Sequence, residues 1–188
     1  RVLVLDGADT DFRAARANFG LVWAQGKGRG MPAYQDLTKR SSDMWPAFLE
    51  GLRDDAGGAR IDYERKGGLA FCMGDEGLAQ RRALIDRLHA EHLALNPAAG
   101  DPDVEMLDRH EVQDLLPDLR LGNRVSGASF GRRDGHVNPL HLLSALHSAI
   151  QRQGGCIRGN STVQEIRAEG GGYAVRSGAS VWRAGRVV

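Results

Sequence analysis

The chain has 188 residues, 41% of them hydrophobic and 26% charged, so it can bury a core as one large or two small domains and is not a disordered segment. Its formal net charge is +1, with no basic block and no aromatic-studded basic stripe, which argues against a nucleic-acid partner. No apolar run approaches a bilayer span, and Cys72 and Cys156 are too few and too far apart for a disulfide framework; the expectation is a cytoplasmic protein with no transmembrane segment, membrane association being the alternative.

Arg1-Val2-Leu3-Val4-Leu5-Asp6 reads as a buried strand closed by a carboxylate. That is the form of the second strand in a dinucleotide-binding βαβ unit, whose acid accepts hydrogen bonds from a ribose. Its companion G-x-G-x-x-G would lie about 20 residues upstream, ahead of Arg1. Arg186-Val187-Val188 likewise reads as the opening of a buried strand. The sequence is therefore read as an internal piece of a larger nucleotide-cofactor protein.

Residues 7–18 are small and polar and predict a loop. Phe19-Gly20-Leu21-Val22-Trp23 predicts a short strand, and Gln25-Gly26-Lys27-Gly28-Arg29-Gly30 an irregular glycine-rich segment. Leu37, Met44, Trp45, Phe48, Leu49 and Leu52 recur at helical spacing over 32–54, with Pro46 as a possible kink and Gly57-Gly58 as the stop. Residues 61–71 alternate like two strands joined at Gly67-Gly68. Leu78, Leu84, Ile85, Leu88 and Leu95 make 75–95 an amphipathic helix with its charges on the other face. A loop over 96–103 leads to a strand at 104–107. Asp108 and Glu111 then form a capping-box pattern ahead of a helix that Pro117 ends.

Residues 126–130 predict another strand. Asp134-Gly135-His136-Val137-Asn138-Pro139 predicts a turn with Asn138 as N-cap and Pro139 in the first helical position. The helix that follows runs over 138–153, with Leu143 and Ile150 facing inward, and Gly154-Gly155 stops it. Residues 162–167, 173–176 and 181–183 alternate and predict three antiparallel strands turned at Gly170-Gly171-Gly172 and Ser177-Gly178.

In this order, the segments resemble the FAD-dependent D-amino acid oxidase superfamily, which includes glycine oxidase, sarcosine oxidase and D-amino acid dehydrogenase. The resemblance runs through Leu3-Val4-Leu5-Asp6, Ala17-Asn18-Phe19-Gly20-Leu21, Lys66-Gly67-Gly68-Leu69, Asp134-Gly135-His136-Val137-Asn138-Pro139 with its helix and Gly154-Gly155, and Thr162-Val163-Gln164-Glu165-Ile166. It implies a truncated α/β FAD-binding, Rossmann-like domain joined to a strand-rich α+β substrate domain. The implied parts are 1–56 and 131–188 for FAD and 57–130 for substrate. It also implies that FAD is held through Asp6, Ala17, Asn18, Gly20, Leu21 and the Val163 backbone. The implied activity of the parent protein is oxidation of the C–N bond of a small amino acid or secondary amine to an imine.

No general base stands out, so the catalytic residues remain unassigned. With the glycine-rich pyrophosphate loop absent from the sequence, residues 1–188 alone are expected to be colourless and inactive. Partners are a small-molecule amino acid or amine, with an oligomer or partner subunit possible.

Other readings stand beside these. Asp6 could cap a turn, and the Gly26 to Gly30 segment could cradle a phosphate, although its spacing fits a flexible loop better. His89 and His92 stand at i and i+3 around Glu91, the wrong order for a zinc helix, and read as surface residues with no metal. Arg132 and Arg133 could clamp a carboxylate or form an exposed pair. The whole chain could be a non-catalytic ligand-binding or assembly domain, or a nicotinamide-dependent enzyme. Antiparallel strands near Val163 and Val181 argue against the nicotinamide reading.

Overall fold

The computed structural model describes residues 1–8, 10 and 14–188. It divides into two compact units. The first comprises Arg1–Asn18, Glu50–Ile61 and Pro139–Val188, and the second Phe19–Leu49 and Asp62–Asn138. The divisions at 18/19 and 49/50 fall inside a stretch that the sequence reading kept whole. The remaining divisions fall at 61/62 and 138/139.

In the first unit, strand β1 (Leu3–Leu5) pairs in parallel with β8 (Cys156–Arg158), in register Leu3↔Cys156 to Leu5↔Arg158. The opening strand forms, but it is not buried as expected: Val2 and Leu3 are exposed and Val4 and Leu5 half-buried. Its partner β8 was not read from the sequence, because three residues are too few to show a period. The expected loop over 7–18 contains a one-turn helix, α1 (Ala14–Ala17); residues 9 and 11–13 of that stretch lie outside the described ones. A single turn has no propensity signal of its own, and α1 is held by packing on helix α5 (Pro139–Arg152).

Helix α5 corrects one expectation. Its buried residues are Ala145 and Ala149, whereas Leu143 and Ile150 are only half-buried. Alanine lets neighbouring backbone come close, so the tightest contact falls on the small residues and not on the leucine stripe. Strands β9 (Glu165–Glu169), β10 (Gly172–Ser177) and β11 (Ser180–Ala184) form the expected antiparallel meander around buried Val175, which pairs with Ile166 and Trp182. Arg186, Val187 and Val188 form no strand among the described residues.

In the second unit, helix α2 (Pro32–Asp55) packs around buried Leu49 and continues into the first unit's sequence. Trp45 stacks on Tyr63 with ring centroids 6.0 Å apart and meets Phe48 edge-on at 5.8 Å. Gly58 and Gly57 donate to the Arg53 and Asp54 carbonyls at 2.8 and 3.0 Å and close the helix, both at positive φ. Strands β3 (Tyr63–Glu64) and β4 (Gly68–Met73) form, but not as a hairpin. β3 joins the order β2-β7-β3 with β2 (Leu21–Val22) and β7 (Gly135–Val137), while β4 joins the order β4-β6-β5 with β5 (Val104–Asp108) and β6 (Val125–Gly131). The turn expected at Gly135 to Val137 is thus the central strand of a small sheet.

Helix α3 (Gly74–Leu95) covers β4 and β6, and α4 (Arg109–Leu115) covers β5 and β6. Val112, Leu121 and Ala128 form the core beneath α4, with Leu69 and Leu107 packed against it. The capping box is complete: the Glu111 amide donates to Asp108 Oδ1 at 2.9 Å, and the Asp108 amide to Glu111 Oε2 at 2.7 Å.

Candidate functional site

Asp6 sits at the carboxyl end of β1, the end at which open α/β sheets bind ligands. The backbone there is laced to the segment after β8. The Asp6 amide donates to the Arg158 carbonyl at 2.9 Å, the Ser161 amide to the Asp6 carbonyl at 2.7 Å, and the Asn160 amide to the Gly7 carbonyl at 3.0 Å. The Gly7 amide donates to Asp6 Oδ1 at 3.0 Å. Asn160 takes φ 51°, a left-handed turn that asparagine tolerates. Two residues beyond Ser161 stands Val163, 38% exposed, and the Gln164 amide bonds the Arg176 carbonyl at 2.9 Å. The structure therefore brings Asp6 together with the segment leading to Val163. Ala17 and Asn18 are exposed at the end of α1.

Gly20 and Leu21 belong to the second unit. The Gly20 carbonyl accepts from the Val137 amide at 2.8 Å, and Leu21 pairs with His136. Gly20 is buried, but Phe19 and Leu21 on either side are 83% and 57% exposed. Two large apolar side chains presented from a fixed backbone fit a flat ring system. A strand-end acid fits a ribose. Within the first unit the acid can accept from hydroxyl groups, and within the second the apolar pair can pack on a ring.

The sequence reading missed the most buried polar cluster. Asp134 is fully buried; its Oδ1 accepts from the Ala24 and Gln25 amides at 2.5 and 3.2 Å, and its Oδ2 from Gln25 Nε2 at 2.7 Å. Gln25 Nε2 also donates to the Gly68 carbonyl at 2.8 Å. At the other end of the amide, Gln25 Oε1 accepts from Ser129 Oγ at 2.6 Å and from Arg81 at 2.7 Å, while Arg81 Nε donates to Ser129 Oγ at 2.7 Å. A Cβ at Gly131 would collide with Asp134 Oδ2, so glycine is required there. Burial pushes the Asp134 carboxyl above its ordinary range despite these donors, and burial pulls Arg81 below its own. One signal was available: Arg81 stands three after Leu78, four before Ile85 and seven before Leu88, on the buried face and not the charged one.

Beside this cluster lies a cavity of about 30 Å³ whose lining includes Gln35, Lys39, Leu88, His89, Asp103 and Arg133, room for about one water. Lys39 pairs with Asp103 at 2.9 Å, Arg133 with Asp103 at 2.9 Å and with Asp43, and Arg65 with Asp43 at 2.8 Å. Arg132 pairs with Glu105. Both candidate carboxylate-clamping arginines are thus engaged by acids of their own chain. In the glycine-rich segment, the Gly30 amide donates to Glu91 Oε2 at 3.2 Å, and Gly28, at φ +81°, lies so close to Gln35 that a Cβ would come within 2.6 Å of it. The Lys27 amide is likewise taken, by the Ala24 carbonyl at 3.3 Å. Among the described residues no group of three or more His, Cys, Asp or Glu is placed to hold a metal ion, and no helix is long and apolar enough to cross a membrane.

A family model described as FAD dependent oxidoreductase, DAO, matches residues 1–188. The chain is 39% identical over 174 residues to an opine oxidase subunit from Agrobacterium tumefaciens (strain Ach5), covering 93% of this chain and 45% of that protein. Among solved structures, glycine oxidase from Geobacillus kaustophilus superposes with a TM-score of 0.79 at 23% identity, covering 98% of this chain and 46% of that one. Iminodiacetate oxidase from Chelativorans sp. BNC1 superposes with a TM-score of 0.69 at 21% identity, covering 98% and 52%. The chain spans about half the length of the relatives it matches.

Proposed function

The chain belongs to the FAD dependent oxidoreductase family, DAO, and from that premise we propose that the full-length protein oxidises the C–N bond of a small amino acid or secondary amine to an imine. The observation that carries this reading is Asp6, an acid at the carboxyl end of a strand in a parallel pair, with its backbone locked to the segment that leads to Val163. In the proposal Asp6 binds the ribose of FAD, the Val163 backbone lies beside the adenine, and Ala17, Asn18, Gly20 and Leu21 line the flavin. Residues 61–71 contribute to the substrate wall. In the proposal residues 1–56 and 131–188 serve FAD and 57–130 the substrate.

When bound, FAD supplies a hydride acceptor for the carbon that bears the amine nitrogen. The chain's own residues contribute position. Leu21 and Phe19, exposed in this structure, would cover an apolar face of the cofactor, with the backbone between them held by the Val137 amide on the Gly20 carbonyl. No side chain among the described residues is assigned as a general base; in the proposal the substrate amine need only be neutral. Orientation of a bound substrate supplies the rest of the rate. The likeness to an opine oxidase subunit supports a parent that works with a partner subunit. It adds opines to glycine and iminodiacetate as substrates to assay.

Residues 1–188 alone are proposed to retain no flavin, since the pyrophosphate is the largest charge on FAD and no glycine-rich loop in this sequence suits it. The test uses purified full-length protein, which should be yellow with a flavin absorption spectrum. Leu21→Asp should reduce flavin retention or turnover at least tenfold, by placing a charge against an apolar ring. His89 and His92 are half-buried rather than on the surface as expected, and His89 lines the small cavity. Neither belongs to the proposed flavin-lining set, so His89→Ala with His92→Ala should change flavin retention or turnover by less than twofold. A histidine pair more sensitive than Leu21 would sink the reading.

A further inference from the structure

We infer that Asp134 and Gln25 are positioning residues for the flavin-facing segment at Gly20 and Leu21, an inference that rests on the functional reading above. The strand that presents this segment is weak by itself. β2 has two residues, lies at the edge of its sheet, and pairs with β7 alone. A pair this short holds a backbone poorly without help from outside the ladder.

The help comes from Asp134, which precedes β7 directly. Oδ1 takes the amides of Ala24 and Gln25 at 2.5 and 3.2 Å, so the chain leaving β2 is tied to the chain entering its partner strand. The Gln25 side chain then turns inward and ties the same point to further elements: β4 through the Gly68 carbonyl, and β6 and α3 through Ser129 and Arg81.

The chemistry admits few substitutes. The Gln25 amide has donors facing its oxygen and acceptors facing its nitrogen, so its orientation is fixed from both ends. Glutamate at 25 would set a carboxylate against Asp134. An apolar residue would strand Asp134 Oδ2 and the Ser129 hydroxyl, buried groups that are costly to leave without partners. Asparagine at 134 would turn an NH2 toward Gln25 Nε2, donor against donor. A carboxylate this deeply buried is costly; a core that needed only packing would be served better by an apolar side chain. What the carboxylate provides is a fixed place for Ala24 and Gln25, three and four residues from Leu21.

The experiment compares Asp134→Asn and the milder Ser129→Ala with wild type in the full-length protein. Peptide-resolved amide exchange of flavin-free protein is measured first. Both variants should exchange ~10-fold faster over residues 19–25, as expected when a buried hydrogen bond is lost, with α4 and β5 unchanged. FAD titration should then show a dissociation constant raised ~10-fold and a shifted visible flavin band. If Asp134→Asn does not fold, Ser129→Ala decides alone. Wild-type exchange over 19–25 overturns the inference. So does faster exchange with unaltered flavin affinity and spectrum, because the cluster is then structural only. A wild-type protein that binds no flavin overturns the functional reading itself, and the inference with it.

Discussion

Asp134 and Asp103 belong to the same unit and respond to pH with opposite signs. Burial tends to raise the Asp103 carboxyl, but hydrogen bonds from Lys39 and Arg133 outweigh it, and the net shift is downward. The same holds for Asp43, where Arg65 and Arg133 overcome burial. A depressed carboxylate contributes stability that is present above its unfolded value of about 3.9 and is lost as pH falls through the folded one. Arg133 serves both acids, so Arg133→Leu should lower stability by about 1 kcal/mol at neutral pH, discounted for the partial exposure of these side chains. The loss should shrink toward pH 3; urea unfolding at both pH values checks it. Asp134 is raised by burial, so its contribution runs the other way: stability falls as pH rises from below the ordinary aspartate value through the raised one. Asp134→Asn should remove that descending limb. A pH–stability profile identical to wild type between pH 3 and 7 would contradict the assignment.

At the scale of elements, legibility followed length and chemistry. The long helices were readable because several turns of leucine spacing outweigh local noise, and the box at Asp108 and Glu111 was readable because reciprocal capping needs those two side chains three apart. Asp108→Ala should therefore cost about 1 kcal/mol, seen as a shifted urea midpoint with unchanged slope. β7 and β8 were not readable, since each is three residues long and acquires strand geometry from its partners. The face of α5 was misjudged because the largest side chains were taken as the deepest. The buried positions are Ala145 and Ala149, so Ala145→Leu should destabilise by about 1–3 kcal/mol through overpacking. A thermal melt within a degree of wild type would show slack in that contact.

For the whole molecule, the family could be recognised because short motifs kept their order along the chain, and order survives where identity to the glycine oxidase structure is only 23%. The strand-end acid at Asp6 was legible from the apolar run before it. The cluster around Asp134 was not, because its members come from residues 25, 81, 129 and 134 and no local pattern joins them. The parallel pair of β1 with β8 has a consequence for how the protein is made. Residues 3–5 find this partner at 156–158, so the β1–β8 pair can form only after nearly the whole of this stretch has been synthesised. At roughly 5–20 residues per second, the edge of β1 that takes β8 waits on the order of ten seconds for its partner. During that interval it is exposed to proteases, to chaperones and to other nascent chains. Stalled chains ending before Cys156 should be cleaved around residues 3–5 in limited proteolysis, and chains extending past Arg158 and clear of the exit tunnel should resist there.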